Sequence, residues 1–190
     1  MILKTERLIL RPWEKNDAES LYESAKDPAV GPIAGWPPHN DVKESLDVIN
    51  NVFCGKECYA VCMKTDNIAI GCIELKLNGY NDMSDRDDEC ELGYWIGRKF
   101  WGQGLIPEAV REILRHAFDD LDMTTVWCGY YDGNLRSKRV QEKTGFIYHH
   151  SCDDVEVPLL GEIRTGHTNL MTRERWMQIN AGSKSEKMNR

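Results

Sequence analysis

Two glycines separated by one residue, Gly102 and Gly104, come just before a segment whose apolar residues recur at helical spacing. Glycine lets the backbone approach a ligand closely, and the first N–H groups of a helix have no partners inside that helix. These groups also carry the positive end of the helix dipole, so they favour phosphate. Arg98 and Lys99 lie beside the turn and add charge. The stretch predicts a pyrophosphate cradle, with a plain strand-to-helix turn as the alternative.

Two better-known phosphate loops are excluded at this position. A P-loop would need Gly-x4-Gly-Lys-Ser/Thr, which the sequence lacks, and the dinucleotide loop needs a glycine where Pro107 stands. Proline suits the first turn of a helix, because its missing N–H would have no partner there. A phosphate site at this turn would therefore differ from both of these loops.

A second motif follows the next predicted strand. Asn134 opens a short helix that contains Ser137 and Lys143, and Gly145 closes it. Asparagine is a favoured helix cap, so a purely structural role for Asn134 stays open. Ser137 could likewise only bond the backbone of its own turn.

These motifs together resemble the GCN5-related N-acetyltransferase (GNAT) superfamily, and within it the ribosomal-protein N-acetyltransferase branch of RimJ/RimL type. That branch also resembles this chain at Thr5-Glu-Arg-Leu-Ile-Leu-Arg-Pro-Trp13, Glu91-Leu-Gly-Tyr-Trp95 and Phe100-Trp-Gly-Gln-Gly104. The resemblance runs from about residue 5 to residue 177. Lys99 departs from the family's glutamine or arginine, and lysine meets phosphate as a point charge without arginine's fork.

The resemblance implies acetyl-CoA as the cofactor. Its pyrophosphate would rest on the backbone of the glycine turn, and its pantetheine arm would run along the Trp95 strand like an added strand. For Lys138 and Lys143 a solvated helix surface is the alternative to a phosphate contact. The implied cofactor contacts are Trp95, Ile96, Lys99, Trp101, Gly102, Gln103, Gly104, Leu105, Asn134, Ser137, Lys138 and Lys143.

Acetyl transfer to an amine needs a neutral amine, a donor for the developing oxyanion and a proton for the leaving thiolate. The resemblance implies direct transfer, with the backbone N–H of Ile96 as the oxyanion donor. Many relatives place a tyrosine acid seven residues after the asparagine, where this chain has Gln141, which cannot serve. The branch's serine matches Ser137, which we expect to be the general acid or the hydrogen-bond donor to the thiolate.

The general base is predicted among carboxylates. Glu89 and Glu91 share one face of a predicted strand because side chains alternate. Glu91 is the first choice for a catalytic base, with a structural hydrogen-bond acceptor as its alternative, and Glu89 is assigned to substrate binding. Weaker candidates for the base are His149, His150 and Glu162.

The acceptor pocket is expected from the N-terminal half. Trp36, in a rigid Gly-Trp-Pro-Pro loop, either packs on substrate or anchors the loop to the core. Residues 81–89 hold five carboxylates and one arginine. That stretch is either a solvated hairpin loop or an acidic wall that attracts an amine.

Composition narrows the class of protein. The chain has 190 residues, 41% hydrophobic residues and a net charge of −7, which argues against nucleic acid and suits a cationic small molecule or basic peptide. No apolar run approaches the length of a membrane span. Seven cysteines without an export signal indicate reduced thiols and a cytoplasmic location. The Cys54, Cys58 and Cys62 spacing lacks a fourth ligand, so we predict no metal site.

The element order predicts the fold class. Strands and helices follow as β-α-α-β-β-β-α-β-α-β-β, which indicates an α+β fold. The predicted elements include two helices capped by Asp17 and Asp41, a loop over Asp27–Asn40 between them, a strand over Glu89–Ile96 and a final turn that contains Trp176. The resemblance implies a mostly antiparallel twisted sheet of about 6–7 strands flanked by about four helices on both faces. We expect one domain over residues 1–178 and a polar, disordered tail over 179–190.

Three functions remain open. The first is acetyl transfer to an amine, with peptide or protein N-termini such as those of ribosomal proteins leading and polyamines or aminoglycosides as alternatives. The second is a non-catalytic acyl-CoA-binding regulatory module, and the third a different nucleotide binder. Either a monomer or a homodimer is compatible with the sequence.

Overall fold

The computed structural model describes residues 1–77 and 83–188, with side chains described up to residue 182. Its elements in chain order are β1 (Leu3–Lys4), β2 (Leu8–Arg11), α1 (Ala18–Ala25), α2 (Gly31–Ala34), α3 (Val42–Asn51), β3 (Cys58–Met63), β4 (Ala69–Lys76), β5 (Glu89–Ile96), α4 (Leu105–Arg115), β6 (Thr125–Tyr131), α5 (Leu135–Thr144), β7 (Ile147–Val157), β8 (Glu162–Thr172) and α6 (Arg173–Met188). The expected α+β fold is confirmed, with eight strands and six helices among the described residues.

The sheet has the strand order β1-β2-β3-β4-β5-β6-β8-β7. Every neighbouring pair is antiparallel except β5 and β6, which run parallel. A parallel pair needs a crossover connection, and α4 supplies it. This crossover lies in the middle of the sheet, and α5 makes a second one from β6 past β8 to β7.

The parallel pair β5 and β6 is joined only at its beginning. Its ladder ends where Glu91 pairs with Trp127. Beyond that point β5 still pairs with β4 as far as Ile96, and β6 still pairs with β8 as far as Tyr131. The two strands therefore diverge, and a wedge opens between residues 92–96 and 128–131.

Helix α4 forms because its apolar residues recur every three or four positions. That face is buried against the sheet through Leu105, Ile106, Ala109, Val110, Ile113 and Leu114. A single π-helical turn, His116–Asp120, extends it. The start of α4 is thus held rigidly beside the end of β5, where the glycine turn lies.

The expected loop between the first two long helices contains one short helix. Pro32 lies in the first turn of α2, where proline is tolerated, and Gly35 ends the helix in the left-handed conformation at φ 98°. Glycines and prolines that predicted a loop thus also mark the two ends of a helical turn. The turn places Ile33 and Ala34 beside the wedge.

Asp17 does not cap α1 as expected. Its carboxylate instead takes two hydrogen bonds from the buried Arg11 guanidinium, at 2.7 and 2.8 Å, and one from the N–H of Glu14. A buried guanidinium requires a charged partner, so Asp17 pairs with Arg11 rather than capping α1. The expected cap of α3 is confirmed, since Asp41 accepts from the N–H of Glu44 at 2.8 Å.

The ends of the chain add two elements to the expected list. Strand β1 has only two residues, too few to show a periodic pattern, and pairs with β2. Helix α6 has 16 residues, longer than the final turn that the sequence indicated. The domain division after residue 178 stays a prediction. None of the helices described has the length and apolar character needed to cross a membrane.

Candidate active site

The wedge between β5 and β6 opens into two cavities that meet. The first, called here the turn cavity, has a volume of about 250 Å³ and contains the glycine turn and one face of α5. The second, called here the acidic cavity, has a volume of about 470 Å³ and contains Glu74, Lys76 and Glu91. Residues lining both are Ile33, Ala34, Tyr94, Trp95, Asn134 and Ser137. Two ligands could therefore meet at the wedge.

The glycine turn directly precedes α4. Gly102 and Gly104 have φ values of 76° and 73°, a conformation that favours glycine. Gly104 is the residue before the first turn of α4, and no side chain caps that end. The first N–H groups of α4 thus remain available, and the turn cavity includes Leu105, Ile106 and Pro107. This arrangement can hold an anion.

A network from the start of the chain holds the turn in place. The Arg7 guanidinium donates to the carbonyl of Gln103 at 3.0 Å and pairs with Glu108 at 2.7 Å. Glu108 also accepts from the N–H of Arg7 and the hydroxyl of Thr5. Although burial acts to raise it, these hydrogen bonds hold the pKa of Glu108 below its ordinary value. The carboxylate is therefore charged and fixes the turn to β2.

Helix α5 presents cations to the turn cavity. Arg136, Arg139 and Lys143 line it, and these positions share one helical face. The Arg136 guanidinium lies 3.7 Å from the centre of the Trp101 ring, a cation–π contact. Lys138 lies outside the lining and is 4.0 Å from Glu142. The cavity thus combines a helix N-terminus with three cations.

The end of β5 turns one backbone edge toward the wedge. The N–H of Gly97 donates to the carbonyl of Ile70 in β4 at 2.8 Å. Because backbone groups alternate in direction along a strand, the N–H and carbonyl of Ile96 face the other way, into the wedge. The Ile96 carbonyl accepts from the Trp101 indole at 2.9 Å. The Ile96 N–H is positioned to donate to a bound group.

Ser137 lies at the junction of the cavities within a hydrogen-bonded chain. The Tyr94 hydroxyl is 3.0 Å from its Oγ, and the Gln141 amide donates to that Oγ at 3.2 Å. Asn169 donates in turn to the Gln141 carbonyl oxygen at 2.6 Å, which fixes the amide's orientation. Since Ser137 Oγ accepts from Gln141, its own hydrogen points away from that amide, and in the contact with Tyr94 either hydroxyl can be the donor.

Tyr94 remains a neutral hydroxyl in this chain. Burial raises its pKa well above the ordinary value, more than the hydrogen bonds to Ser137 and Gln141 lower it. Asn134 uses its carbonyl oxygen to accept from the N–H of Ser137 at 3.2 Å, so it does cap α5. Its amide donates to the carbonyl of Ile33 at 3.4 Å, which ties α2 to the junction.

The acidic cavity has the opposite charge. Glu91 is buried, and its Oε1 lies 2.9 Å from the Lys76 ammonium. Its other oxygen, Oε2, is buried without a hydrogen-bond partner among the described residues. Glu74 and Glu156 bring further carboxylates to the same space. With one lysine against three carboxylates, the cavity favours a cation.

Aromatic rings form the rest of this cavity. The rings of Trp36 and Trp95 meet edge to face, with 5.6 Å between their centres. Tyr130 and Tyr131 line the cavity from β6, on the opposite side. A Cβ at Gly31 would lie 2.4 Å from the Trp36 ring, so this ring also packs tightly against α2. Trp36 thus anchors its loop and also lines the cavity, while its contact with a substrate stays a prediction.

The structure brings most of the expected residues to the wedge, but not all. Trp95, Ile96, Trp101, Gly102, Gly104, Leu105, Asn134, Ser137 and Lys143 line the turn cavity, and Trp36 and Glu91 line the acidic one. Glu89 lies outside both, because Trp127 donates to it at 2.6 Å and Arg86 pairs with it at 3.3 Å. Neither cavity's lining includes the side chains of Lys99, Gln103 and Lys138, or His149, His150 and Glu162. Residues 81 and 82 of the acidic stretch lie outside the described residues.

Several site residues escaped the sequence reading. Alternation along β5 puts Tyr94 on the face of Leu92 and Ile96, and a buried hydroxyl there needs a partner. This pattern could have identified Tyr94 from the sequence. The shared helical face of Arg136, Arg139 and Lys143 could likewise have identified these three cations. The contact of Arg7 with Glu108 joins residues 101 positions apart and has no local signal.

Comparison with known proteins agrees with this geometry. The acetyltransferase (GNAT) domain family matches residues 7–147. The uncharacterized N-acetyltransferase p20 of Bacillus licheniformis is 30% identical over 129 residues, which is 65% of this chain and 70% of that protein.

Solved structures share the fold. A GNAT-family acetyltransferase from Bacillus anthracis has a TM-score of 0.79 and 21% identity, covering 92% of this chain and 99% of that one. The ribosomal-protein-S5-alanine acetyltransferase from Vibrio fischeri has a TM-score of 0.69 and 14% identity, covering 93% and 98%. With a family match over residues 7–147 and this fold, the chain belongs to the GNAT acetyltransferases, in the family of RimJ/RimL type.

Proposed function

We propose that this acetyltransferase moves an acetyl group from acetyl-CoA directly to a primary amine, with a peptide or protein N-terminus, such as that of a ribosomal protein, as the acceptor. The observation that carries this proposal is the meeting of two cavities of opposite charge at Ser137 and Tyr94. One cavity suits a phosphate-bearing donor and the other a cationic acceptor. A direct transfer needs both substrates side by side, which this arrangement provides.

The turn cavity fits coenzyme A by the chemistry of its lining. The N–H groups at the start of α4 suit the pyrophosphate, and Arg136, Arg139 and Lys143 suit the remaining phosphate charge. The open backbone edge at Ile96 suits the amides of the pantetheine arm, as an added strand would. When bound, acetyl-CoA supplies a reactive thioester carbonyl.

Two groups of the chain would stabilise the reaction at this point. The N–H of Ile96 donates to the carbonyl oxygen as negative charge develops there. The Ser137 hydroxyl, held by Gln141, donates to the sulfur as it leaves. A carboxylate of the acidic cavity, for which the sequence indicated Glu91, would remove the acceptor's proton directly or through water, and Trp36 would form a wall for the acceptor's first residue.

Two observations favour a peptide N-terminus over the other candidate acceptors. The acidic cavity, at about 470 Å³, has room for more than a bare amine, and its aromatic walls suit a side chain next to the ammonium. The similar Vibrio fischeri protein is named for action on a ribosomal protein. Polyamines and aminoglycosides share the charge and remain the competing acceptors.

Calorimetric titration tests the donor half of the proposal. Acetyl-CoA is titrated into the purified protein, with ATP and NAD as controls. We expect acetyl-CoA to bind at least tenfold more tightly than either control. Equal affinity for all three, or no binding by a folded protein, would refute the proposal.

A turnover assay tests the acceptor half. Unblocked hexapeptides beginning with Ser or Ala, the same peptides with a blocked N-terminus, and spermidine are compared at equal concentration by mass spectrometry. We expect acetylation of the unblocked peptides only. Faster acetylation of spermidine would replace the peptide by a polyamine as the acceptor, and binding without any turnover would favour the regulatory module.

A further inference from the structure

Three alternate pairs of the β4–β5 ladder lie along one face of the sheet beside the wedge. They are Cys72 with Trp95, Glu74 with Gly93, and Lys76 with Glu91. Residues directly opposite each other in a ladder point to the same face. The middle pair is unusual, because a carboxylate faces a residue without a side chain.

The Glu74 carboxyl fills the space that Gly93 leaves open. A Cβ placed on Gly93 would lie 3.1 Å from Glu74 Oε1 and 3.7 Å from its Cδ. The carboxyl therefore lies over the backbone of Gly93, on the face that Trp95 and Glu91 share and in the acidic cavity that Tyr94 also lines. The hydroxyl of Tyr94 lies 3.0 Å from Ser137 Oγ at the junction of the cavities. Glu74 is thus the carboxylate one rung nearer the mouth of the wedge than Glu91.

Glu91 is less well placed to take a proton. Its Oε1 is paired with the Lys76 ammonium at 2.9 Å, which stabilises the ionised form. It also stands where β5 is still joined to β6 through Trp127, at the closed end of the wedge. Its unpartnered Oε2 adds negative charge to the cavity, which would help to hold a cation there.

We propose that Glu74 binds the acceptor's ammonium group in the acidic cavity and removes its proton, while Glu91, held by Lys76, positions the ammonium from the closed end. This assignment rests on the proposed function and names the base within that site. The acceptor then enters as a cation, crosses the face of Trp95 and reaches the junction as a neutral amine.

The charges around Glu74 favour this role. Burial raises its pKa, the Lys76 ammonium lowers it and the Glu91 carboxylate raises it, and the net pKa lies above the ordinary value. The groups that face it are Cys58 on β3, Lys76 on its own strand and Glu91 on β5. A base works best when its pKa approaches the working pH.

The protons balance as follows. The ammonium loses one proton to the Glu74 carboxylate, which later returns it to solvent. The neutral nitrogen attacks the thioester carbonyl, so an N–C bond forms and the C–S bond breaks. A second proton leaves the nitrogen and reaches the sulfur through the Ser137 hydroxyl, and the third stays on the amide. The products are an N-acetylated acceptor, free CoA and one released proton.

The test compares Glu74→Gln with Glu91→Gln, using the acceptor that the wild-type protein acetylates fastest among the Ser- and Ala-hexapeptides and spermidine. We expect Glu74→Gln to lower kcat/KM about 100-fold with the Kd for CoA unchanged. The wild-type pH profile should show an acid limb above the ordinary glutamate pKa, and this limb should disappear in Glu74→Gln. Glu91→Gln should raise KM about fivefold and keep the limb.

Gly93→Ala adds a geometric check. Its methyl group would press on the Glu74 carboxyl, so kcat should fall about threefold to tenfold while the acid limb stays. Full activity and an intact acid limb in Glu74→Gln would overturn the assignment, as would loss of the limb in Glu91→Gln. If the wild-type protein binds acetyl-CoA but acetylates nothing in the panel, the proposed function itself fails, and Glu74 as its base fails with it.

Discussion

The turn cavity and the acidic cavity are built in different ways. The turn cavity draws mostly on two short stretches, residues 94–107 and 134–143, and uses backbone N–H groups and cations. The acidic cavity draws on α2, β4, β5, β6, α5, β7 and β8, and uses carboxylates and aromatic rings. Binding through a local backbone turn constrains the sequence closely. Binding through side chains from seven elements leaves each position free to change with the acceptor.

Removal of the Ser137 hydroxyl would have the largest effect, because this residue serves both cavities at once. Ser137→Ala should lower kcat about 100-fold with the Kd for CoA within about twofold of wild type. Rapid-quench turnover and calorimetry measure the two quantities. Tyr94→Phe is the matched variant and should lower kcat about fivefold, since the Tyr94 hydroxyl helps to orient Ser137 through its contacts with the serine's Oγ and carbonyl. A larger loss in Tyr94→Phe would make the tyrosine the donor.

A change in the glycine turn should affect the turn cavity alone. Valine in place of Gly104 is strained at φ 73° and would obstruct the start of α4. We expect the Kd for CoA to rise at least about tenfold, as measured by calorimetry. Gly161→Val is the control, because Gly161 has φ 65° and lies in the β7–β8 turn, outside both cavities. If both variants bind CoA equally, the turn is not a cradle.

The contact between Arg7 and the turn predicts an effect from a residue remote in sequence. Arg7→Ala removes the donor to the Gln103 carbonyl and the partner of Glu108. The Kd for CoA should rise about fivefold while acceptor KM stays constant. Arg98→Ala is the control, because Arg98, although beside the turn in sequence, lies outside the lining of the turn cavity and is 3.8 Å from Asp27. This change should alter neither the Kd for CoA nor the acceptor KM. An equal effect of the two would mean that net charge alone matters.

The smallest expected effect separates two neighbouring cations on α5. Arg136→Ala should raise the Kd for CoA about threefold and weaken its salt dependence, because Arg136 lines the turn cavity. Lys138→Ala should leave both unchanged, since Lys138 lies on another face of the helix. Calorimetric titrations of CoA at two salt concentrations measure both the Kd and its salt dependence for each variant. An effect of Lys138 as large as that of Arg136 would contradict the placement of α5.

The sequence predicted the elements well where a local pattern defines them. Strand β5 has the predicted bounds Glu89–Ile96, and the glycine turn precedes a helix as expected. The helical period of α4 and the asparagine and glycine that end α5 are local signals of the same kind. Trp95, Ile96, Gly102 and Gly104 could therefore be predicted as cofactor contacts from the sequence, and they line the turn cavity.

The acceptor side was harder to predict, because its residues meet only through the sheet. Glu89 and Glu91 share a face, yet only Glu91 reaches the cavity, since Trp127 and Arg86 hold Glu89. Glu74 gave no signal, because its position depends on the register that sets it opposite Gly93. Lys138 lies outside the turn cavity because it is on a different face of α5 from Arg136, Arg139 and Lys143. The sequence contains this helical spacing, but residue type alone does not show which lysine faces the cavity.

The open edges of β5 and β6 also bear on aggregation. Unpaired strand edges invite other chains to pair with them, and here two such edges face each other in the middle of a sheet. The ladder that ends at Glu91 and Trp127 holds them at the ordinary spacing of neighbouring strands, about 4.8 Å, at the closed end. A foreign strand with side chains would need twice that width along its whole length. Because the two edges converge to that spacing, a strand cannot pair with both of them along their whole length, and the Trp101 indole already occupies the Ile96 carbonyl. The narrow end of the wedge therefore protects the middle of the sheet from edge-to-edge association.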